Sequence, residues 1–426
     1  MTATEATTAE PTPDPPAELP ATVWSRPRLR PEIVLGPGQR KGDVVIHHVL
    51  DPVTGWFYRV GPREHFLMSR LDGQHGLDEI AEEYLAVFDR RLGPQNWQQL
   101  FTMLHRRQLL DGATDERSLA KLAETAAAGA ARAKRGPLQA RFPLFDPGRL
   151  FGRVHPWLAP LFSQWFVAPA LLAVLALDGY VAYDWRRLTE AVGESRQGWL
   201  PFLAAIVIAW AIIFLHECAH GLTCWHFGGR VKEIGVMWRF PMLAPYCKVD
   251  DVVLLPPAQR VATAFAGVFV SLLALLPFAA VWALAADGGT AHRLSGAVLL
   301  FGTVTALLNL VPFLRLDGYY MLTHALNLSD LRSETYQFYR RLVRGGPKTV
   351  AGYQVRDRIA YAVYGFANVA FAVVICTLLA RFWYASMREW IGAGWAVTVL
   401  VVEAVLLVLL VWYGVRRAER LNAKSG

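Results

Sequence analysis

Residues 201–220 are PFLAAIVIAWAIIFLHECAH, an apolar run that leads directly into an H-E-x-x-H motif. Residues four positions apart lie on one face of a helix, so His216 and His220 can both reach one Zn²⁺. Glu217 lies on nearly the same side, where it can act as the general base toward an attacking water. The stretch therefore predicts a zinc hydrolase motif on a helix that is apolar enough for a membrane.

The composition is typical of a membrane protein. Of the 426 residues 54% are hydrophobic, and the long apolar runs are confined to residues 157–426. The net charge is +8, but the basic residues flank the apolar runs, which fits anionic lipid headgroups better than nucleic acid. We therefore expect the lipid bilayer as a partner, and no nucleic acid. The four cysteines lie in or beside apolar segments and predict no disulfide framework.

Six apolar segments are each close to the length, about 20 residues, that a helix needs to cross a bilayer. They are residues 159–183, 199–226, 261–286, 294–313, 357–381 and 392–415. Residues 157–426 are therefore predicted to form an all-α polytopic membrane domain with about six transmembrane helices. Pro312 falls inside the fourth segment, so we expect that helix to break there.

The chain before the membrane segments divides into three parts. Residues 1–41 are rich in Pro and Thr and lack the features of a signal peptide, so we expect a disordered tail. Residues 42–112 predict a small winged-helix-like α+β domain. Its predicted segments are a hairpin of strands at 44–48 and 56–60, then helices at 63–71, 77–88 and 97–110. Residues 113–156 predict a linker.

The loops between the apolar segments differ in charge from one side of the membrane to the other. The three loops at 184–197, 287–293 and 382–391 hold five Lys and Arg residues, against sixteen in the loops and tail on the opposite side. The positive-inside rule then places both termini in the cytoplasm of a multi-pass cell membrane protein. The ends of the second and fourth segments, which carry the motifs, both lie toward the cytoplasm.

A catalytic zinc site usually needs a third protein ligand, and the sequence offers two candidates. His226 has the spacing of a metzincin, but Thr223 stands where that motif has the glycine that turns the chain, so we expect His226 to point elsewhere. Asp317 follows Pro312, which interrupts a helix, and precedes Gly318, which permits a bend. A carboxylate in such a segment can approach a metal on a neighbouring helix.

The two motifs together carry a close resemblance to a known family. HECAH at 216–220 is followed about ninety residues later by NLVPFLRLDG at 309–318. This pair resembles the site-2 protease family of intramembrane zinc metalloproteases, and within it the peptide zinc metalloprotease branch. The resemblance covers nearly all of residues 157–426 and implies a site-2-protease-like core.

The resemblance also implies a role for each motif residue. Zn²⁺ would be held by His216, His220 and Asp317, with Glu217 as the catalytic base. Asn309 would hold the substrate or its tetrahedral oxyanion near the metal.

A second resemblance lies in the N-terminal domain. LDPVTGWFYRVG at 50–61, FLMSRLDG at 66–73 and the helix that starts at Leu77 resemble the PqqD-like family, the peptide-recognition domain of systems that mature ribosomally made peptides. It implies that a peptide adds as a strand near residues 56–60. A small helical domain that only packs on the membrane part is the alternative that stays open.

Three other features bear on the site. Residues 231–238 and 248–254 are predicted to be β-like and either to cover the site or to pair with an extended substrate. Ala266, Gly267 and Ser271 are small residues that favour close helix packing in the third apolar segment, with contact to the helix of the H-E-x-x-H motif as the alternative. Glu403 lies in the middle of the last segment, where it is either a functional acid or a hydrogen-bonding partner between helices.

The sequence thus favours a membrane-embedded zinc endopeptidase that acts in the maturation or export of a ribosomally made peptide, with a HlyD-like export component as a further partner. One alternative is regulated intramembrane proteolysis of a membrane-anchored signalling protein, so the substrate is either a peptide or a membrane protein. Another alternative is a non-catalytic docking or export subunit with a vestigial zinc site.

The charge asymmetry predicts the behaviour of reporter fusions. Alkaline phosphatase fused after residue 426 should be inactive, because its disulfides do not form in the reducing cytoplasm. The same reporter inserted in the 287–293 loop should be active, and a fluorescent-protein reporter should show the opposite pattern. An active C-terminal phosphatase would contradict the predicted orientation.

Overall fold

The structure is a computed structural model, and it describes residues 25–133, 135–136, 139–193, 199–239 and 242–423. Most of the predicted N-terminal tail, residues 1–24, lies outside this range. The chain divides into two compact units, Met1–Leu331 and Arg332–Gly426, and the candidate site lies in the first of them.

The N-terminal domain contains a three-stranded antiparallel sheet in the order β1-β2-β3. The strands are β1 Val34–Lys41, β2 Val44–Leu50 and β3 Phe57–Val60. The predicted β2–β3 hairpin is confirmed, and its turn is held by Asp51, whose carboxylate accepts hydrogen bonds from Val53 N and Thr54 Oγ1.

The predicted tail is wrong from residue 25 onward. Arg30 forms a buried ion pair with Asp51, with Nη2 2.6 Å from Oδ2, and residues 34–41 are the strand β1. The sequence hides β1 because its Gly-Pro-Gly interior, residues 36–38, has low strand propensity. Pairing with β2, whose own pattern is clear, supplies the missing stability.

Three helices complete this domain, as predicted, at α1 Pro62–Arg70, α2 Leu77–Phe88 and α3 Pro94–Arg106. Each follows a glycine in extended conformation, and α1 and α3 start with a proline, whose missing N–H is not needed in a first helical turn. Their apolar faces meet in one core that includes Met68, Ile80, Phe101 and Leu104, all at most 1% exposed.

The predicted linker is more ordered than expected. It contains α4 Glu116–Ala133, the short strand β4 Arg135–Gly136, β5 Gln139–Phe145 and α5 Gly148–Leu158. β5 belongs to a second antiparallel sheet, in the order β4-β5-β6-β7. Its partner β6 comes about ninety residues later, and Pro143 weakens the local strand signal, so nothing near β5 in the sequence announces the pairing.

The strands between the two motifs are β6 Glu233–Arg239 and β7 Met242–Lys248. β6 confirms the first β-like prediction. The second, at 248–254, is wrong except at its first residue, because Asp250–Leu254 forms a 3₁₀ turn. That turn is fixed by Asp251, whose carboxylate accepts a hydrogen bond from Arg230 N at 3.1 Å.

The remaining helices follow in chain order. They are α6 Gln164–Tyr183, α7 Trp185–Gly193, α8 Trp199–His226, α9 Pro257–Leu273, α10 Leu276–Leu284, α11 Thr290–Asn309, α12 Asp317–Ala325, α13 Leu331–Gly345, α14 Val355–Ile391 and α15 Ala393–Ala423. The expected break near Pro312 is confirmed, since α11 ends at Asn309.

Within the described residues, five helical stretches are long and apolar enough to cross a membrane. They are Gln164–Tyr183, Trp199–His226, Pro257–Leu284, Thr290–Asn309 and Val355–Ile391. The sixth predicted segment falls in α15, where the apolar stretch Ala393–Leu406 is shorter. Large apolar side chains on these helices are exposed, such as Phe202 and Leu172, which suits contact with lipid.

Acid is expected to destabilise the N-terminal domain through His48 on β2. Burial, with smaller contributions from Arg59 and Arg260, lowers the pKa of His48 from 6.5 to about 4. Between these values the unfolded chain binds the proton and the folded chain does not, so stability falls as pH drops from about 6.5 to 4. Thermal denaturation at stepped pH should show a shallower fall in the midpoint for His48→Gln, and an unchanged slope would contradict this assignment.

Candidate metal centre

Three side chains from two distant parts of the chain converge on one point. His216 and His220 lie one turn apart on α8, and Asp317 is the first residue of α12. Their nitrogen and carboxylate atoms lie within 4.8 Å of one another, and they are the one such group that could hold a metal among the described residues. Asp317, which the sequence favoured as the third ligand, therefore lies beside the two histidines.

The distances fit a tetrahedral metal ion. His216 Nε2 lies 3.1 Å from His220 Nε2 and 3.0 Å from Asp317 Oδ2, and His220 Nε2 lies 3.4 Å from Asp317 Oδ1. Zinc bonds of about 2.0–2.1 Å in a tetrahedron separate neighbouring ligand atoms by about 3.3 Å. Asp317 Oδ2 is also buried without a well-directed hydrogen bond, as expected for an oxygen whose lone pair is reserved for a cation.

Helix α9 fixes the orientation of both imidazoles. His220 Nδ1 lies 2.7 Å from the Thr263 carbonyl oxygen, and His216 Nδ1 lies 3.0 Å from Ser271 Oγ. A carbonyl only accepts hydrogen bonds, so His220 Nδ1 donates to it, and the neutral imidazole then presents the lone pair of Nε2 to the centre. The contact of Ser271 with His216 agrees with the alternative that the small residues of this segment touch the motif helix. The Thr263 carbonyl oxygen had no signal in the sequence.

Gly267 on α9 leaves the space in which the ligand atoms meet. A Cβ at this position would fall on the Nε2 atoms of both His216 and His220. Glycine therefore lets α9 pack directly against the two imidazoles. A larger residue would overlap their Nε2 atoms and displace them.

The segment between α11 and α12 delivers Asp317. α11 ends at Asn309, and Gly318 packs so closely on the Leu310 backbone that a side chain there would overlap the Leu310 carbonyl. Burial alone would raise the pKa of the Asp317 carboxyl, but the nearby imidazoles of His216 and His220 outweigh burial and lower that pKa. Asp317 is thus an anion at neutral pH.

Glu217 is held by the backbone of β7. Its Oε2 accepts a hydrogen bond of 2.8 Å from Cys247 N. The second carboxylate oxygen, Oε1, takes no part in that bond. Burial, followed by the Glu217 carboxyl, raises the pKa of the Cys247 thiol, so Cys247 stays neutral. β7 is an outer strand of its sheet. The Cys247 amide points away from β6 and toward Glu217, which is next to His216 in the chain.

The remaining candidates lie outside the ligand group. His226 Nδ1 lies 2.9 Å from His155 Nε2, and its ring stacks on Phe162, so the metzincin-like alternative does not match its position. Asn309 is the half-buried last residue of α11, and its role remains a prediction. Glu403 is an exposed residue of α15 in the second unit.

No family model matches the chain, and neither the curated proteins nor the solved structures searched include a match.

Gly267→Ala is expected to abolish metal binding, because the added methyl group occupies the space between the ligand atoms. Zinc measured by elemental analysis of the purified chain should fall from about one per chain to near zero. Gly179→Ala is the matched control, since Gly179 lies on the apolar helix α6 with open space around it. Equal zinc content in Gly267→Ala and the unchanged chain would contradict the site.

Proposed function

We propose that this chain is a membrane-embedded zinc endopeptidase. The observation that carries the proposal is the convergence of His216, His220 and Asp317 with a glutamate directly beside the first histidine. Three protein ligands leave a fourth position for water or substrate, which is typical of catalytic rather than structural zinc sites. Glu217 is not needed as a ligand, so its place in the H-E-x-x-H motif favours a catalytic role.

The proposed mechanism assigns each residue a task. Zinc, when bound by the three ligands, would supply Lewis acidity toward the scissile carbonyl and increase the acidity of the attacking water. Glu217 accepts the proton of that water and later transfers it to the leaving amine. The Cys247 amide restrains one carboxylate oxygen of Glu217 and thereby fixes the direction of the other. Asn309 is the proposed partner of the developing oxyanion.

The edge of β7 suits an extended substrate. A peptide bond in a helix is shielded by the helix's own hydrogen bonds, so cleavage requires a locally unwound chain. An outer strand offers backbone groups that a peptide can pair with. Since Cys247 lies on this strand and contacts Glu217, a peptide paired with the nearby part of β7 would lie close to the base.

The membrane placement belongs to the same proposal. The five long apolar helices and the apolar part of α15 are proposed to form about six spans of the cell membrane, with both termini in the cytoplasm. The site then lies toward the cytoplasmic end of α8, because His216 and His220 are in its second half. A water-accessible cavity on that side is required for hydrolysis.

The N-terminal domain favours a peptide substrate over a membrane-anchored signalling protein. Its sheet ends with β3, an outer strand at the position where the resemblance to PqqD-like domains implies peptide binding. We therefore propose maturation or export of a ribosomally made peptide, in which a HlyD-like export component would be a partner.

Glu217→Gln is expected to keep zinc but to lose peptide hydrolysis by about 10²–10⁴-fold, the usual contribution of a general base. Mass spectrometry of a proteome-derived peptide mixture, incubated with the purified chain in detergent, would measure the new peptide ends. Glu190→Gln, which makes the same change at an exposed position on α7, is the control. Unchanged hydrolysis by a zinc-loaded Glu217→Gln chain would favour the docking-subunit alternative.

A further inference from the structure

The helix that carries Asp317 is short and is held at both ends. α12 has nine residues and is about 14 Å long, so a tilt of its far end would move Asp317. Its first residue is the proposed ligand, and beyond its last turn Asn327 adopts a left-handed conformation with φ 54°. The contacts that hold the segment around Asn327 therefore affect the position of Asp317 in the metal centre.

Strand β1 of the N-terminal domain binds the end of α12. Arg40 N donates to the Asn327 carbonyl oxygen at 3.0 Å, and Ser329 N donates to the Arg40 carbonyl oxygen at 2.9 Å. Arg40 Nη2 also donates to the Leu326 carbonyl oxygen at 2.8 Å, so a positive charge caps the negative end of the helix. These contacts form a parallel bridge between Arg40 and Leu328.

The Asn327 side chain extends this contact to a third element. Its Nδ2 donates to the Gly38 carbonyl oxygen on β1 at 3.0 Å, and its Oδ1 accepts from Arg260 Nη2 on α9 at 2.8 Å. Arg260 is 0% exposed, and its Nε and Nη1 have no hydrogen-bond partner among the described residues. A buried guanidinium with so few partners makes its bond to Asn327 costly to lose.

The elements joined at Asn327 are those that support the metal ligands. Arg260 lies one helical turn before Thr263, whose carbonyl oxygen orients His220. Next to Gly38, the buried Gln39 donates from Nε2 to the Val253 carbonyl oxygen, in the turn that follows β7. Strand β1 thus contacts the segment after α12, which begins with Asp317, and the turn after β7, which carries the hydrogen-bond partner of Glu217. Asn327 links these contacts to α9, which carries the hydrogen-bond partner of His220.

We propose that Asn327 is a positioning residue for the metal centre. Through its amide it ties β1 of the N-terminal domain to Arg260 on α9, and this fixes α12 so that Asp317 stays at the two histidines. The N-terminal domain is then part of the support of the centre, in addition to any role in peptide recognition. The inference rests on the proposed metal site.

The test removes the amide but keeps the backbone conformation. Asn327→Gly retains a residue that tolerates positive φ and loses both side-chain hydrogen bonds. The affinity of the full-length chain for Zn²⁺, measured by competition with a chelator, should fall about 10-fold, the lower end of the effect seen when groups behind metal ligands are removed. The visible absorption spectrum of the Co²⁺-substituted chain should change as well, which reports on ligand geometry.

Asp89→Gly is the matched control. Asp89 also has positive φ, at 51°, and follows a helix, α2 of the N-terminal domain, but it is exposed and makes no contact with α9 or α12 among those described. This control should keep the Zn²⁺ affinity and the Co²⁺ spectrum of the unchanged chain. An Asn327→Gly chain with the same affinity and spectrum as the control would overturn the proposal.

Asn327→Asp tests the link to β1 separately and serves if the glycine variant does not fold. It keeps an acceptor for Arg260 but loses the donor to the Gly38 carbonyl oxygen. A lower Zn²⁺ affinity supports the part played by β1, and an unchanged affinity overturns it. If the unchanged chain itself binds no metal, the proposed function fails, and this outcome is distinct from a metal-binding chain whose Asn327 variants behave normally.

Discussion

The meeting of one carboxylate with two imidazoles from another helix is the constraint on which the rest of the first unit depends. His216, Glu217 and His220 are costly on an apolar helix unless each has a partner. The structure supplies one for each, in Ser271, the Cys247 amide and the Thr263 carbonyl oxygen, and Asp317 completes the group. These partners lie on α9, β7 and α12, so the positions of those elements are tied to the polar residues of α8.

Close packing and glycine follow from that constraint. α9 must approach α8 closely enough to reach both Nδ1 atoms while leaving room in front of the Nε2 atoms, and Gly267 satisfies both conditions. At the other side of the centre, Gly318 allows the start of α12 to lie directly on the end of α11. In both places a side chain would push apart two segments whose distance sets the geometry of the ligands.

The N-terminal domain bears on this arrangement in a way that a view of separate modules would miss. Its core is independent of the membrane helices, since the fourteen residues of that cluster all lie between Leu29 and Leu110. Its first strand, β1, however, also makes hydrogen bonds to the segment after α12 and to the turn after β7. A domain proposed to recognise peptides thus shares hydrogen bonds with the support of a proposed catalytic centre, which offers a physical route for one to influence the other.

Features that depend on short spacing along the chain could be predicted from the residues alone. Two histidines four residues apart must share a helix face, long apolar segments predict membrane helices, and Pro312 with Gly318 marks an interrupted helix that can present Asp317. The sequence also supported the β2–β3 hairpin and the three helices of the N-terminal domain. Four other features are visible only in the folded chain: β1, the pairing of β5 with β6, the hydrogen bond from the Cys247 amide to Glu217, and the contacts of Asn327. The Gly-Pro-Gly interior of β1 conceals that strand, and the other three depend on hydrogen bonds of backbone groups between residues far apart in the chain. A backbone amide has no signature in the sequence, because every residue except proline carries one.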